Sequence, residues 1–242
     1  MSPTLPPAER GLPASLLGGG PFASLVSARS SRASRAGASL IAVGTLQFVG
    51  AMVAVQLAYP GYSDLSNYIS DLGNTSTSPW HLVFNLSIGV LGLFALVGIA
   101  AAWGSFPPGA TRAVGLPLLM VAGIAAILVG VFPENVNPTV HGLVSLLVFL
   151  PGGLALVVLG VGMGAGSGWA GGRGYSYLLG AITLASLAFF VPDGMTSSPW
   201  YPGFVERLIV FPVLLWALGV AVHLLRLPRE MPSPVVPRPS PG

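Results

Sequence analysis

The chain has 242 residues, of which 53% are hydrophobic and only 7% are charged, and its formal net charge is +3. Soluble domains carry roughly 25% charged residues, so a soluble fold of this composition would expose apolar surface and aggregate. The absence of cysteine excludes disulfides and thiolate metal sites. The basic residues, all arginine, form no nucleic-acid-binding patch. We therefore predict an all-α integral membrane protein whose partner is the lipid bilayer, with no nucleic-acid partner and with protein partners undetermined.

Both ends of the chain have the composition of disordered tails. Residues 1–36 are rich in Pro, Gly, Ser and Ala, and Arg29, Arg32 and Arg35 follow the short apolar pieces, whereas a secretory signal has its basic residues before them. We predict a cytoplasmic tail here, with a transit peptide as the weaker alternative. Residues 227–242 are proline-rich and are predicted to form an extended cytoplasmic tail.

Between the tails, residues 37–226 are predicted to form one bundle of six transmembrane helices. Each apolar segment is close to the roughly 20 residues that cross the hydrocarbon core. The predicted spans are 38–58, 80–103, 113–132, 139–163, 175–191 and 203–225. Glycine and alanine recur within them and permit close helix packing.

The arginines predict the orientation, because cytoplasmic loops carry an excess of Lys and Arg. With the N-terminus inside, nine of the ten arginines fall on the cytoplasmic side: Arg10, Arg29, Arg32, Arg35, Arg112, Arg173, Arg226, Arg229 and Arg238. Only Arg207 falls on the outer side. Five of the seven acidic residues fall on the outer side as well: Asp64, Asp71, Glu134, Asp193 and Glu206. We predict a multi-pass protein of the cell membrane with both termini in the cytoplasm.

The first extracytoplasmic loop, "YPGYSDLSNYISDLGNTSTSP", is unusually polar for this chain. Apolar residues recur in it at i, i+3, i+7 and i+10: Tyr62, Leu65, Ile69 and Leu72. This spacing predicts a short amphipathic helix at the membrane interface. Ser63 would be its N-cap and Gly73 its C-terminal stop. A surface loop with a merely solvated polar face is the alternative interpretation.

The predicted topology brings most of the ionisable residues outside the tails and inner loops to the same outer level. Such groups at helix ends within a bundle are often functional. The candidate catalytic residues are Asp71, His81, His141, Glu206 and Arg207. The candidate binding residues are Tyr62, Asn67, Ser70, Asp71, Asn85 and Glu134. A structural ion-pair network, with His81 as an interfacial residue beside Trp80, is the alternative.

Glu206 and Arg207 are adjacent, so on a helix they point about 100° apart and need separate partners. We predict that Arg207 pairs with Asp71 or Glu134. For Glu206 we predict a histidine partner.

The motif "YPGYSDLSNYISDLG" closely resembles the domain-of-unknown-function 998 family of archaeal and bacterial membrane proteins. The resemblance continues through "FPENVNPTVHGLVS" and "GFVERLIVFPVLLW" and covers all six spans but neither tail. It implies a six-span fold with His141 in the fourth span. It also implies a polar outer-loop signature at Tyr59, Pro60, Gly61, Tyr62, Asn67, Ser70, Asp71 and Gly73. It implies no activity, because the family is uncharacterised.

Three functions remain open from the sequence. A membrane-embedded, metal-dependent hydrolase or lipid-modifying enzyme would draw ligands from His81, His141 and either Asp71 or Glu206, leaving a position for activated water. A small-solute transporter or channel would use the proline- and glycine-broken helices. A non-catalytic membrane component, such as a scaffold, sensor or lipid-binding subunit, would use the outer polar cluster to fix the loop onto the bundle. We favour the last, and the sequence assigns no cofactor.

Overall fold

Six α-helices form the structure, a computed structural model that describes residues 21–164, 166–169, 171–193 and 201–227. In chain order they are α1 (Pro21–Ala58), α2 (His81–Ala102), α3 (Ala110–Val131), α4 (Pro138–Gly162), α5 (Gly172–Asp193) and α6 (Pro202–Arg226). Short 3-10 helices lie at Ser70–Gly73 and Trp103–Ser105. The described residues contain no strand. Most of the predicted tail sequence, residues 1–20 and 228–242, lies outside the described residues, and α1 already begins at Pro21.

Five of these helices are long and apolar enough to cross a membrane: Arg32–Ala58 of α1, His81–Ser105, α3, α4 and α6. The prediction of a helical, membrane-embedded protein is confirmed at this level. The remaining helix, α5, has 22 residues and packs between α4 and α6.

Neighbouring helices in the chain pack against each other from α2 through α6, and α4 also contacts α6. The first helix lies along α2, where Gln47 donates a hydrogen bond of 2.8 Å to the Ser87 carbonyl. At the end of the bundle away from residues 59–80, Arg35 of α1 donates a hydrogen bond of 2.7 Å to the Leu225 carbonyl of α6. The first and last helices therefore meet, which closes the bundle.

The contact between α2 and α3 depends on small residues. Gly92 faces the Gly123 carbonyl and Ile127 so closely that an added Cβ would collide with both. Small residues allow membrane helices to approach closely in this way, so that backbone and side chains pack without voids. The sequence prediction of close packing through Gly and Ala agrees with this interface.

The first loop, residues 59–80, differs from its prediction. It contains no α-helix; turns lead into the 3-10 helix Ser70–Gly73. Polar side chains take up backbone groups that a helix would need, since Ser63 N donates to Asn67 Oδ1 and Tyr68 N donates to Asp71 Oδ2. Of the predicted apolar stripe, Ile69 and Leu72 are buried, whereas Leu65 is exposed.

Candidate functional site

Arg207, in the second turn of α6, holds the first loop onto the bundle. Its guanidinium donates hydrogen bonds to the Tyr62 hydroxyl at 2.8 Å, the Asn67 carbonyl at 3.1 Å and Asp64 Oδ1 at 2.6 Å. A fourth bond, of 2.9 Å, goes to the Gly203 carbonyl one turn earlier in α6. Only 8% of Arg207 is exposed, so the guanidinium replaces its lost hydration almost entirely with loop atoms.

The predicted partners of Arg207 are wrong. Its ion pair is with Asp64, whose side chain is 65% exposed. Asp71 instead accepts hydrogen bonds from the Asn67 side chain and the Tyr68 amide. Glu134 is bound by loop residues described below, so neither carboxylate is directed at the guanidinium.

Glu206 bonds to the backbone of the first loop and not to a histidine. Its Oε2 accepts a hydrogen bond from the Ile69 amide. Its other oxygen accepts no hydrogen bond from the described part of the chain, although the residue is only 5% exposed. Because Glu206 and Arg207 point about 100° apart on α6, they bond to different parts of the loop: Glu206 to the Ile69 amide, and Arg207 to residues 62–67.

The backbone of the first loop rests on the beginning of α6. The amides of Gly203 and Phe204 donate to the Leu65 carbonyl at 3.0 and 3.3 Å. A Cβ on Gly203 would overlap the Asn67 carbonyl oxygen. Glycine at this position therefore lets the loop reach the side chains of the next helical turn.

A second contact fixes the other half of the first loop to the α3–α4 connection. The Ser70 hydroxyl donates to Glu134 Oε2 at 2.8 Å, and Asn74 Nδ2 donates to Glu134 Oε1 at 3.4 Å. Asn135 adds bonds to Thr75, including one from the Thr75 amide of 3.0 Å. The loop thus bridges the beginning of α6 and the connection between α3 and α4.

Two groups in this network have altered proton affinity. Burial and the nearby Asp71 carboxyl raise the pKa of Glu134 to about 7. Burial also raises the pKa of Tyr62, while the Arg207 guanidinium opposes that shift by favouring the phenolate. The charge of Glu134 therefore changes near neutral pH.

The two candidate histidines are held separately. His81 Nδ1 lies 3.0 Å from the Ser78 carbonyl, at the entry to α2. His141 Nδ1 lies 2.8 Å from the Phe132 carbonyl, so Nδ1 carries the proton and Nε2 of the neutral ring is an acceptor. Asn85 donates to the Gly73 carbonyl at 3.0 Å and attaches the end of the 3-10 helix to α2.

A cavity of about 150 Å³ lies directly beneath the first loop, between α1, α2, α3, α4 and α6. Most of its wall is aliphatic or aromatic. Polar residues that keep an oxygen or nitrogen free to accept a hydrogen bond are concentrated at the loop end, where His141, Ser145 and Glu206 line it. Two polar residues farther down are already paired: Thr45 donates to the Ile41 carbonyl, and Trp216 Nε1 donates to Ser176. We call this space the bundle cavity.

The structure brings many of the candidate residues into one connected cluster and leaves others apart. Joined through the first loop are Tyr62, Asn67, Ser70, Asp71, Asn85, Glu134, Glu206 and Arg207. His141 lines the bundle cavity, whereas His81 does not. Among the described residues, no three His, Asp or Glu side chains come close enough together to hold a metal ion.

Sequence reasoning missed two members of the cluster. Asp64 is the ion-pair partner of Arg207, and Gln56 donates a hydrogen bond of 3.0 Å to the same Asp64 oxygen. Gln56 is the one polar side chain in the last turn of α1. A single polar residue at the end of an apolar helix could have indicated a hydrogen bond to the loop that follows. No local pattern in the sequence predicts the bundle cavity, because its wall is formed by residues of five helices.

Comparison with known proteins agrees with the sequence resemblance. The family described as "Protein of unknown function (DUF998)" matches residues 42–223, which begin within α1 and include nearly all of α6. No curated protein and no solved structure matches the chain. The chain therefore belongs to the DUF998 family.

Proposed function

We propose that this protein is a non-catalytic, multi-pass membrane component that binds an apolar molecule in the bundle cavity, beneath the docked first loop. One observation carries the proposal: an apolar space inside the bundle ends at the buried residue whose carboxyl group also fastens the loop, Glu206. Ligand pockets are mostly apolar, with a few polar groups that orient the bound molecule. The bundle cavity has that composition.

The proposal includes six spans with both termini in the cytoplasm of a cell-membrane protein. At about 1.5 Å per residue, the 22 residues of α5 extend roughly 33 Å, which is enough to cross the hydrocarbon. Its packing against both α4 and α6 supports a sixth crossing. The distribution of arginines supports the orientation.

Occupancy of the bundle cavity can be tested by filling it. Ala126 lies on its wall and is 5% exposed, so Ala126→Phe would occupy part of the space. Ala100 is exposed on α2, and Ala100→Phe makes the same chemical change on the outer surface. Native mass spectrometry of each purified protein would measure tightly retained small molecules.

We expect a retained apolar molecule in the parent protein and in Ala100→Phe, and its loss in Ala126→Phe. Retention unchanged in Ala126→Phe, or no retained molecule in any of the three proteins, would contradict the proposal. Thermal unfolding in detergent serves as the folding control, because overpacking alone costs about 1–3 kcal/mol.

The orientation can be tested with single cysteines, since the chain has none of its own. Thr75 in the first loop and Pro108 between α2 and α3 are both exposed. A membrane-impermeant maleimide should label Thr75→Cys on intact cells and Pro108→Cys only after permeabilisation. The reverse pattern would overturn the orientation.

A further inference from the structure

We infer that the bundle cavity takes a single-chain amphiphile whose head group is a cationic hydrogen-bond donor, such as a short-chain alkylamine, bound at Glu206. The inference rests on the proposed function and specifies its ligand class. It follows from three features of the cavity: its acceptors, its charge and its volume.

The loop end of the bundle cavity offers mainly acceptors. Glu206 has one carboxyl oxygen without a partner among the described residues, and it is 95% buried. His141 uses Nδ1 on the Phe132 carbonyl, which leaves Nε2 as an acceptor. The Ser145 hydroxyl also lines this end and bonds to no described residue. A head group that donates would satisfy these atoms, whereas a carboxylate would not.

The charge around this end also favours a cation. In the described part of the cluster, four carboxyl groups accompany a single guanidinium: Asp64, Asp71, Glu134, Glu206 and Arg207. The guanidinium donates all its observed bonds to the first loop and to its own helix, and none to Glu206. A buried carboxylate is costly unless it is paired with a cation, and an ammonium head would supply that partner.

The volume of the cavity fits one short alkyl chain. On α6 its wall runs from Glu206 to Val220, which at 1.5 Å per residue over 220 − 206 = 14 steps is about 21 Å. Aromatic side chains at both depths, Phe84 near the loop and Phe106 and Trp216 farther in, give the wall contact area. A volume of about 150 Å³ is that of a cavity that holds one benzene ring, so the space admits a single alkyl chain of about six carbons and excludes a two-chain lipid.

The test compares three photoreactive probes that differ only in the head group: diazirine-bearing hexylamine, hexanol and hexanoate. The full-length protein is placed in zwitterionic-lipid nanodiscs, and saturable labelling of the cavity wall is mapped by mass spectrometry. Parent protein, Glu206→Gln and Ala126→Phe are compared. Gln retains an oxygen for the Ile69 amide while removing the charge, so loop docking is preserved.

We expect the amine to label with at least about tenfold higher apparent affinity than the carboxylate, and this preference to fall to within about threefold in Glu206→Gln, where chain binding persists. If Glu206→Gln does not fold, Ser145→Ala gives a second readout, a smaller drop in amine affinity alone. Equal affinity of the three probes in the parent protein, with labelling lost in Ala126→Phe, would overturn the head-group inference and leave the proposed function standing. Absence of saturable labelling by any probe would overturn both.

Discussion

Replacing Arg207 tests how the first loop is held. Arg207→Met keeps most of the side-chain volume and removes every hydrogen bond that the guanidinium donates to Tyr62, Asp64 and Asn67. A hydrogen bond to a charged group contributes about 1.5–3 kcal/mol. The bond to Asp64 contributes less than about 1 kcal/mol, because that carboxylate is 65% exposed and well solvated.

Two mostly buried bonds at the lower limit give about 3 kcal/mol of loop docking, and a tenfold change corresponds to about 1.4 kcal/mol. We therefore expect the amides of residues 59–73 to exchange roughly a hundredfold faster in Arg207→Met. Hydrogen exchange read by mass spectrometry measures this local opening directly.

Asp64→Asn is the matched control. It removes the ion pair but leaves the bonds of Arg207 to Tyr62 and Asn67, so exchange should quicken by about fivefold or less. Two results would refute the assignment of Arg207 as the main anchor of the loop. One is an amide exchange rate in Arg207→Met that is close to that of the parent protein, and the other is an equal increase of the rate in both variants.

Three further changes act on the same loop. Glu134 has a pKa of about 7 in the folded protein, above its ordinary value of 4.5. Its contribution to the free energy of unfolding is therefore complete below about pH 4.5 and is lost as the pH rises to about 7, by roughly 1–2 kcal/mol after allowance for partial exposure. The melting temperature in detergent should fall over that pH range in the parent protein and stay level in Glu134→Gln. Gly203→Ala should press on the Asn67 carbonyl and cost about 1–3 kcal/mol, seen as faster loop exchange with α2–α5 unchanged. Asn85→Leu should free the Gly73 carbonyl and cost about 1–3 kcal/mol, whereas Leu86→Asn, on the exposed neighbour, should leave exchange at residues 70–73 unaltered.

The helices were predictable because the membrane imposes their length. Three of the six predicted starts and all six predicted ends lie within two residues of a helix boundary: the second span was predicted at 80–103 and α2 is His81–Ala102. The starts of α3 and α5 were predicted three residues late. The largest difference is at α1, which begins at Pro21. Hydropathy identifies where a chain can enter lipid, but a helix can continue past that point into water, and composition alone does not mark where it begins.

The local structure of the first loop was not predictable from periodicity. Asn67 and Asp71 stand at positions where a helix would place them on its solvent face, yet their side chains bind backbone amides of the loop instead. Such short-range bonds compete with helix formation, and a pattern of apolar residues does not register them. The partner of Arg207 was missed for a related reason, because the choice between Asp64 and Asp71 depends on how the loop folds.

The adjacency of Glu206 and Arg207 makes the beginning of α6 intolerant of insertions. One added residue between Gly203 and Glu206 would rotate both side chains by about 100° relative to the glycine on which the loop rests. The arginine could then no longer reach Tyr62 and Asn67 while Gly203 kept its place under the loop. Length changes among related proteins should accumulate elsewhere, as in the exposed residues 108–109 between α2 and α3, while the interval from Gly203 to Arg207 keeps its number of residues.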